Sequence, residues 1–203
     1  MDSSWNSSGT VNILISYMLL FATCFCSVAN STIPPKVQQI AQESASALGQ
    51  VESSIQNAAG SLLMAGEEKA FLAAHNKARL HAGEPPLVWD AKLAAYARQY
   101  AQQRSVDCNM VHSKGPYGEN IFWGGGSQWT ANDAVAMWIR EHRSYDRASM
   151  KCEAGKMCGH YTQVVWRDTV RLGCAISRCV SGDTFAVCSY DPPGNYVGEN
   201  PFA

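Results

Sequence analysis

Charge is scarce in this sequence. Asp, Glu, Lys and Arg make up 16% of its 203 residues, against roughly a quarter in an ordinary soluble domain. The signs nearly cancel, 16 basic against 17 acidic, and no basic face or stripe stands out, which argues against nucleic-acid binding. No Cys-x-x-Cys or His-x-His pair occurs, so the spacing of a tetrathiolate zinc site is missing. Absent too are a Gly-x-Ser-x-Gly nucleophile elbow, a Gly-rich phosphate loop and any internal repeat. Ser113 merely adjoins His112 in sequence, which does not make a nucleophile–base pair. No catalytic residue emerges. The first 35 residues hold no Lys or Arg. What is present is an apolar fraction of 46% and eight cysteines, enough for a real core in one domain with appendages.

Ile13 to Val28 form a mostly apolar run of sixteen residues, broken only by Ser16, Thr23 and Ser27. That length is marginal for crossing a bilayer, and the small-residue exit Ser27-Val28-Ala29 fits a secretory signal over residues 1–29. An uncleaved anchor is the competing reading, because only the α-amine charges the leading segment. Cleavage would remove Asp2, Cys24 and Cys26, leaving 16 charges of each sign and six cysteines. In an oxidising route, Cys108, Cys152, Cys158, Cys174, Cys179 and Cys188 read as three disulfides, with 15 pairings open. Asn30-Ser31-Thr32 is a glycosylation sequon.

Residues 30–65 read as an N-terminal extension, an amphipathic helix or pro-segment. Positions 37, 41, 44, 48, 51, 55, 58 and 62 alternate spacings of four and three and carry Val, Ala, Ser, Leu, Val, Ile, Ala and Leu. A coiled-coil oligomeriser is the alternative for that seam. Residues 66–203 have the composition of a compact domain. Helices are expected over Glu67–His81, stopped by Gly83; from Ala91 to about Val106, capped by Asp90; and from Thr130 or Asn132 to about Tyr145. Strands are expected at Tyr161–Arg167, Arg171–Ser177 and Phe185–Tyr190, with a short one at Ile121–Trp123. Helices followed by a meander predict an α+β domain with an antiparallel sheet.

Titratable groups sit in aromatic company at four points: His112, Glu119, Glu141 between Trp138 and Tyr145, and His160 beside Tyr161. Two imidazoles and two carboxylates can take a divalent ion or form a hydrogen-bonded polar cluster.

Gly159-His160-Tyr161-Thr162-Gln163-Val164-Val165-Trp166 and Cys188-Ser189-Tyr190-Asp191-Pro192-Pro193-Gly194-Asn195-Tyr196 closely resemble the two signatures of the CAP superfamily (cysteine-rich secretory proteins, antigen 5, pathogenesis-related 1). His75-Asn76-x-x-Arg79, Leu87-x-Trp89, Asp107-Cys108-Asn109-x-x-His112-Ser113 and Gly118-Glu119-Asn120 are similar to its plant pathogenesis-related 1 branch. The resemblance covers about Glu67 to Phe202.

It implies a three-layer α-β-α sandwich and pairings Cys152–Cys158, Cys108–Cys179 and Cys174–Cys188. It also implies secretion to the apoplast or cell wall and antimicrobial plant defence. A cleft tetrad of His112, Glu119, Glu141 and His160 would take Zn or Mg, with no cofactor required. Sterol or other lipid binding is implied at Tyr117, Phe122, Trp123 and Trp129, beside the flexible Gly124-Gly125-Gly126. A C-terminal peptide, Pro192 to Phe202, would be released to a plant cell-surface receptor, although Ser189 replaces the usual Asn, Phe202 the usual Tyr, and Ala203 follows. The chain is expected to be a monomer or weak oligomer without nucleic-acid partners. The competing functions are a metal-dependent hydrolase or protease and a non-catalytic structural or signalling module.

Overall fold

A computed structural model describes residues 34–203; the expected signal segment 1–29 and the Asn30 sequon lie outside them. Among the described residues no helix is long and apolar enough to cross a membrane. The chain divides into two units, one ending at Ala58 and one spanning Ala59–Ala203.

Helix α1 (Pro35–Ala82) contributes to both units. It does not start afresh at Glu67. Gly60 and Gly66 lie inside it, because a helical glycine costs only about 1 kcal/mol and no proline removes a ladder bond. Its end falls as expected, with Gly83 at φ +82°, a conformation that costs glycine nothing.

The second unit continues with β1 (Val88–Trp89), α2 (Ala91–Arg104), β2 (Gly118–Gly124) and α3 (Ala131–Arg140). A 3₁₀ turn (Glu141–Ser144) leads into the small ribbon β3 (Tyr145–Asp146) and β4 (Lys151–Cys152). Then come α4 (Gly159–Val164), β5 (Arg171–Arg178) and β6 (Thr184–Asp191). Local chemistry sets the helix starts. The Asp90 carboxylate accepts the N–H groups of Lys92 and Leu93 at 2.8 and 3.0 Å, and Thr130 with Asp133 forms a reciprocal capping box.

The central sheet runs β1-β5-β6-β2. It is antiparallel except that β1 pairs with β5 in parallel. Alternation along the strands divides the core in two. Phe122, Leu172, Cys174, Ala186, Cys188 and Tyr190 pack with Phe71 of α1, Val135 and Trp138 of α3, and Val164 of α4. Ile121, Ala175, Phe185 and Val187 pack with Ala97 and Ala101 of α2. This is the α-β-α sandwich. Its disulfides are Cys108–Cys179, Cys152–Cys158 and Cys174–Cys188.

One expected strand is a helix. Tyr161–Arg167 has the composition of a strand, yet Gly159–Val164 is α4. Residues Thr162, Gln163, Val164, Val165 and Trp166 are all buried, so a two-residue alternation has no face to obey. Tertiary partners at both ends override the β-branched preference. At the amino end Glu141 Oε2 accepts the N–H groups of His160 and Tyr161 at 3.0 and 3.3 Å. At the carboxyl end the buried Arg79 guanidinium donates to the carbonyls of Val164, Trp166, Arg167 and Thr169. Its Nε donates to Pro85 O. Glu84, itself buried, binds Arg167 at 3.1 Å and helps keep Arg79 charged, although burial pulls its pKa to about 10.

His75, also fully buried, donates from Nδ1 to Phe71 O and accepts the Tyr190 hydroxyl on Nε2, both at 2.8 Å. Burial holds its pKa at about 4 against an ordinary 6.5.

Two outcomes are expected. Arg79→Lys leaves buried carbonyls without donors and costs about 3 kcal/mol, a fall of roughly 10 °C in Tm; a calorimetric Tm within a degree or two of the native one would contradict this. For His75, the unfolded chain takes up a proton below about pH 6.5 that the folded chain refuses until about pH 4. Stability from this group is therefore full above pH 6.5 and falls by about 3 kcal/mol between pH 6.5 and 4. Urea unfolding across that range should show a shallower slope for His75→Asn.

Candidate functional site

The four residues expected to line a cleft form two imidazole–carboxylate pairs. His112 Nδ1 donates to Glu119 Oε1 at 2.7 Å, and His160 Nδ1 donates to Glu141 Oε1 at 2.7 Å. The His112 side chain is 57% exposed while its Glu119 partner is 7% exposed, so the first pair reaches from the surface inward. The second pair is evenly and largely sheltered, and the His160 ring stacks on Trp138 at 6.3 Å.

The pairs meet β2, which lies at the edge of the sheet, on its two faces. Glu119 lies opposite Ser189 and Asn120 opposite Cys188, so Glu119 faces the α2 layer and Asn120 the α1–α3 layer. Asn120 Nδ2 donates to His160 O at 3.0 Å and to Tyr190 Oη at 3.1 Å. With Tyr190, His75 and Phe71 it carries a hydrogen-bond chain from α1 to the backbone of His160. Sequence reasoning passed over His75 and Arg79 as positioning groups. Their signal was the four-residue spacing of Phe71, His75 and Arg79, the buried face of α1.

Does the set suit a divalent ion? Both histidines spend Nδ1 on a carboxylate and leave Nε2 for a cation, the usual way an imidazole ligand is oriented. Glu119 Oε2 is buried with no hydrogen-bond partner among the described residues, and so is Ser189 Oγ directly opposite it. The donor chemistry suits Zn²⁺. The geometry supplies imidazoles held by carboxylates, not four groups around one point, and among the described residues no three His, Cys, Asp or Glu gather at one metal position. Glu141 is also committed to the start of α4.

The four aromatics expected to bind lipid do not converge. Phe122 is buried and meets Trp129 edge-on at 5.3 Å. Trp123 points to the other face of β2 and is 48% exposed. Tyr117 packs edge-on against Tyr96 at 5.1 Å. The triple-glycine loop is tied down, with Gly126 N donating to Asp183 Oδ1 at 2.9 Å and Thr184 Oγ1 to Gly126 O at 2.8 Å. Trp129 packs so closely that a Cβ on Gly124 would fall 2.4 Å from its indole nitrogen.

A cavity of about 870 Å³ lies elsewhere, between α1 and α3. Ala73, Ala74, Ala78 and Ala82 face Ala136 and Ile139 across it, with Tyr161 in the wall. Lys77, Arg140, Arg143 and Arg147 add four permanent cations, His81 and His142 two imidazoles, and no acidic residue lines it among the described residues. Small residues leave the room, and the cations surround it.

The C-terminal segment is tied into the fold. Gly194 N donates to Gln163, Asn195 Nδ2 donates to Gly159 O, and Thr162 Oγ1 donates to Asn195 Oδ1. Arg167 binds the carbonyls of Pro201 and Phe202 at 2.8 and 3.0 Å. The Phe202 ring lies 3.7 Å from the Arg147 guanidinium carbon.

Residues 72–190 match the family model of the cysteine-rich secretory protein family, CAP. Pathogenesis-related protein 1A of Nicotiana tabacum is 53% identical over 135 residues, 66% of this chain and 80% of that protein. Among solved structures, Na-ASP-1 superposes with a TM-score of 0.57 at 25% identity over 67% of this chain and 41% of its own. NaASP2 with Zn²⁺ gives 0.55 at 26% identity over 66% and 84%. The signature segments, the sandwich, its three disulfides and these matches place the chain in the CAP family, as a protein of the plant pathogenesis-related 1 type.

Proposed function

We propose that this protein is a secreted plant defence protein that acts by sequestering an amphiphilic lipid rather than by catalysis. The observation that carries the reading is the cavity between α1 and α3. Its size lies within the usual range for small-molecule pockets. An alanine-lined open groove beside four cations suits an acyl chain or a flat ring system whose head is anionic. A fatty acid fits this chemistry better than an uncharged sterol, whose hydroxyl would leave the cations unanswered. The antimicrobial role follows from withdrawing lipid, and near-zero net charge argues against electrostatic attack on anionic membranes.

Ala136 is exposed on the cavity wall, so Ala136→Trp should fill the space without unfolding the domain. Isothermal titration with palmitate should show at least a ten-fold loss of affinity in that variant, with Tm unchanged. Arg140→Glu with Arg143→Glu should weaken palmitate and leave ergosterol unaffected. Absence of heat from both lipids with the native protein would end the lipid reading.

A second reading rests on the orphaned Glu119 oxygen and the two available imidazole nitrogens. His112 and His160 would hold Zn²⁺, with Glu119 and Glu141 orienting them; bound there, the ion would supply a Lewis acid and an activated water. The Cys152–Cys158 loop leads directly into α4 and sets the approach of His160. On this reading His160→Ala should lower zinc affinity measured by competition with a chromophoric chelator at least ten-fold. Unchanged affinity would remove His160 from the ligand set. Release of a Pro192–Phe202 peptide belongs to the defence reading, not to the zinc reading; both the cut and the loss of the Arg167 and Arg147 contacts would be needed to free it.

A further inference from the structure

We propose that the Pro35–Ala58 part of α1 associates with the same segment of a second copy of the chain through a coiled-coil seam. Val37, Ala41, Ser44, Leu48, Val51, Ile55 and Ala58 recur at alternating spacings of four and three, a mean period of 3.5 residues. That period belongs to helices that wrap around each other and not to a helix lying on a flat surface. The large members are uncovered. Val37, Leu48, Val51 and Ile55 are 52, 64, 55 and 63% exposed, and an exposed helix ordinarily turns Leu, Ile and Val inward.

The width and charge of the stripe choose the occupant. The seam takes two positions in each seven, Ser44 among them polar; Ile40, Ala45 and Ala47 widen it on its borders, and the outward positions carry Gln39, Glu43, Gln50 and Asn57. A bilayer surface or a globular groove takes a broader apolar face, and an anionic membrane also needs cations. This segment has one, Lys36, against Glu43 and Glu52, so electrostatics offers little to a strongly charged partner of either sign.

Self-association meets no such obstacle. The positions bordering the seam are Gln38, Ile40, Ala45, Ala47, Glu52 and Ser54. In a parallel pair, Glu52 faces Ala47 of the other copy, so like charges are not set against each other. Ala41, Ser44 and Ala58 thin the seam, which makes the association reversible and concentration-dependent.

The test is sedimentation equilibrium of the purified full-length chain over a concentration series. It is compared with Val51→Lys/Ile55→Lys on the seam and Gln50→Lys/Asn57→Lys on the outward face. All four positions are exposed, so neither pair of substitutions removes core packing; far-ultraviolet circular dichroism checks that helix content is retained. The native chain and the outward variant should show mass rising with concentration and equal association constants. The seam variant should associate at least ten-fold more weakly. A monomer at every concentration would overturn the proposal, as would association unchanged in the seam variant. A monomer that instead sediments with phosphatidylcholine vesicles would assign the stripe to lipid and overturn it too.

Discussion

Arg79 makes a set of contacts on which the second unit depends. A guanidinium with no access to water is tolerable only if its donors are all occupied, and here carbonyls from Pro85, Val164, Trp166, Arg167 and Thr169 occupy them. Those carbonyls belong to the turn after α1, to the last residue of α4 and to the turn that follows it, none of which has a ladder to join. One side chain therefore replaces the backbone pairing that these irregular segments lack. The Glu84–Arg167 pair stands beside it and shares the charge. A lysine, with a point charge and no planar fork, cannot reproduce the arrangement.

From that anchor the site follows. Arg79 fixes the end of α4 and Glu141 fixes its beginning, so His160 is held through backbone as well as side chain. Asn120 then ties the same residue to the sheet and, through Tyr190 and His75, to α1. The His112–Glu119 pair stands on the other face of β2, supported by Ser113 N–H at 2.9 Å. Carboxylates that resemble ion ligands in sequence act in the fold as organisers: Glu141 for a helix start, Glu119 for a loop. The cavity between α1 and α3 uses none of the four.

Much of the architecture was legible because its determinants are local. Asp90 and Thr130 declare helix starts through side chains that reach only two or three residues ahead, and Gly83 declares a stop through its positive φ. The strands expected at Arg171–Ser177 and Phe185–Tyr190 are found at Arg171–Arg178 and Thr184–Asp191, each putting alternate side chains into different layers. Tyr161–Arg167 misled because β-branched and aromatic residues suit any dry environment, and what makes them helical comes from Arg79 and Glu141, far away in sequence. The placement of the aromatics of Tyr117–Trp129 was not legible for a related reason. Composition collects them, but the pleat of β2 sends Phe122 and Trp123 to opposite faces.

By itself the sequence determined the family, the helix caps, the cysteines available for bridging and the apolar period of the leading helix, all of which depend on neighbours within a few residues or on whole motifs. Only the tertiary structure decided that α4 is a helix, that the two imidazole–carboxylate pairs approach β2 from opposite sides, and that small residues of α1 and α3 leave a cation-lined cavity. Each of these arises where residues distant in the chain meet, and there burial and hydrogen-bond satisfaction outweigh local preference.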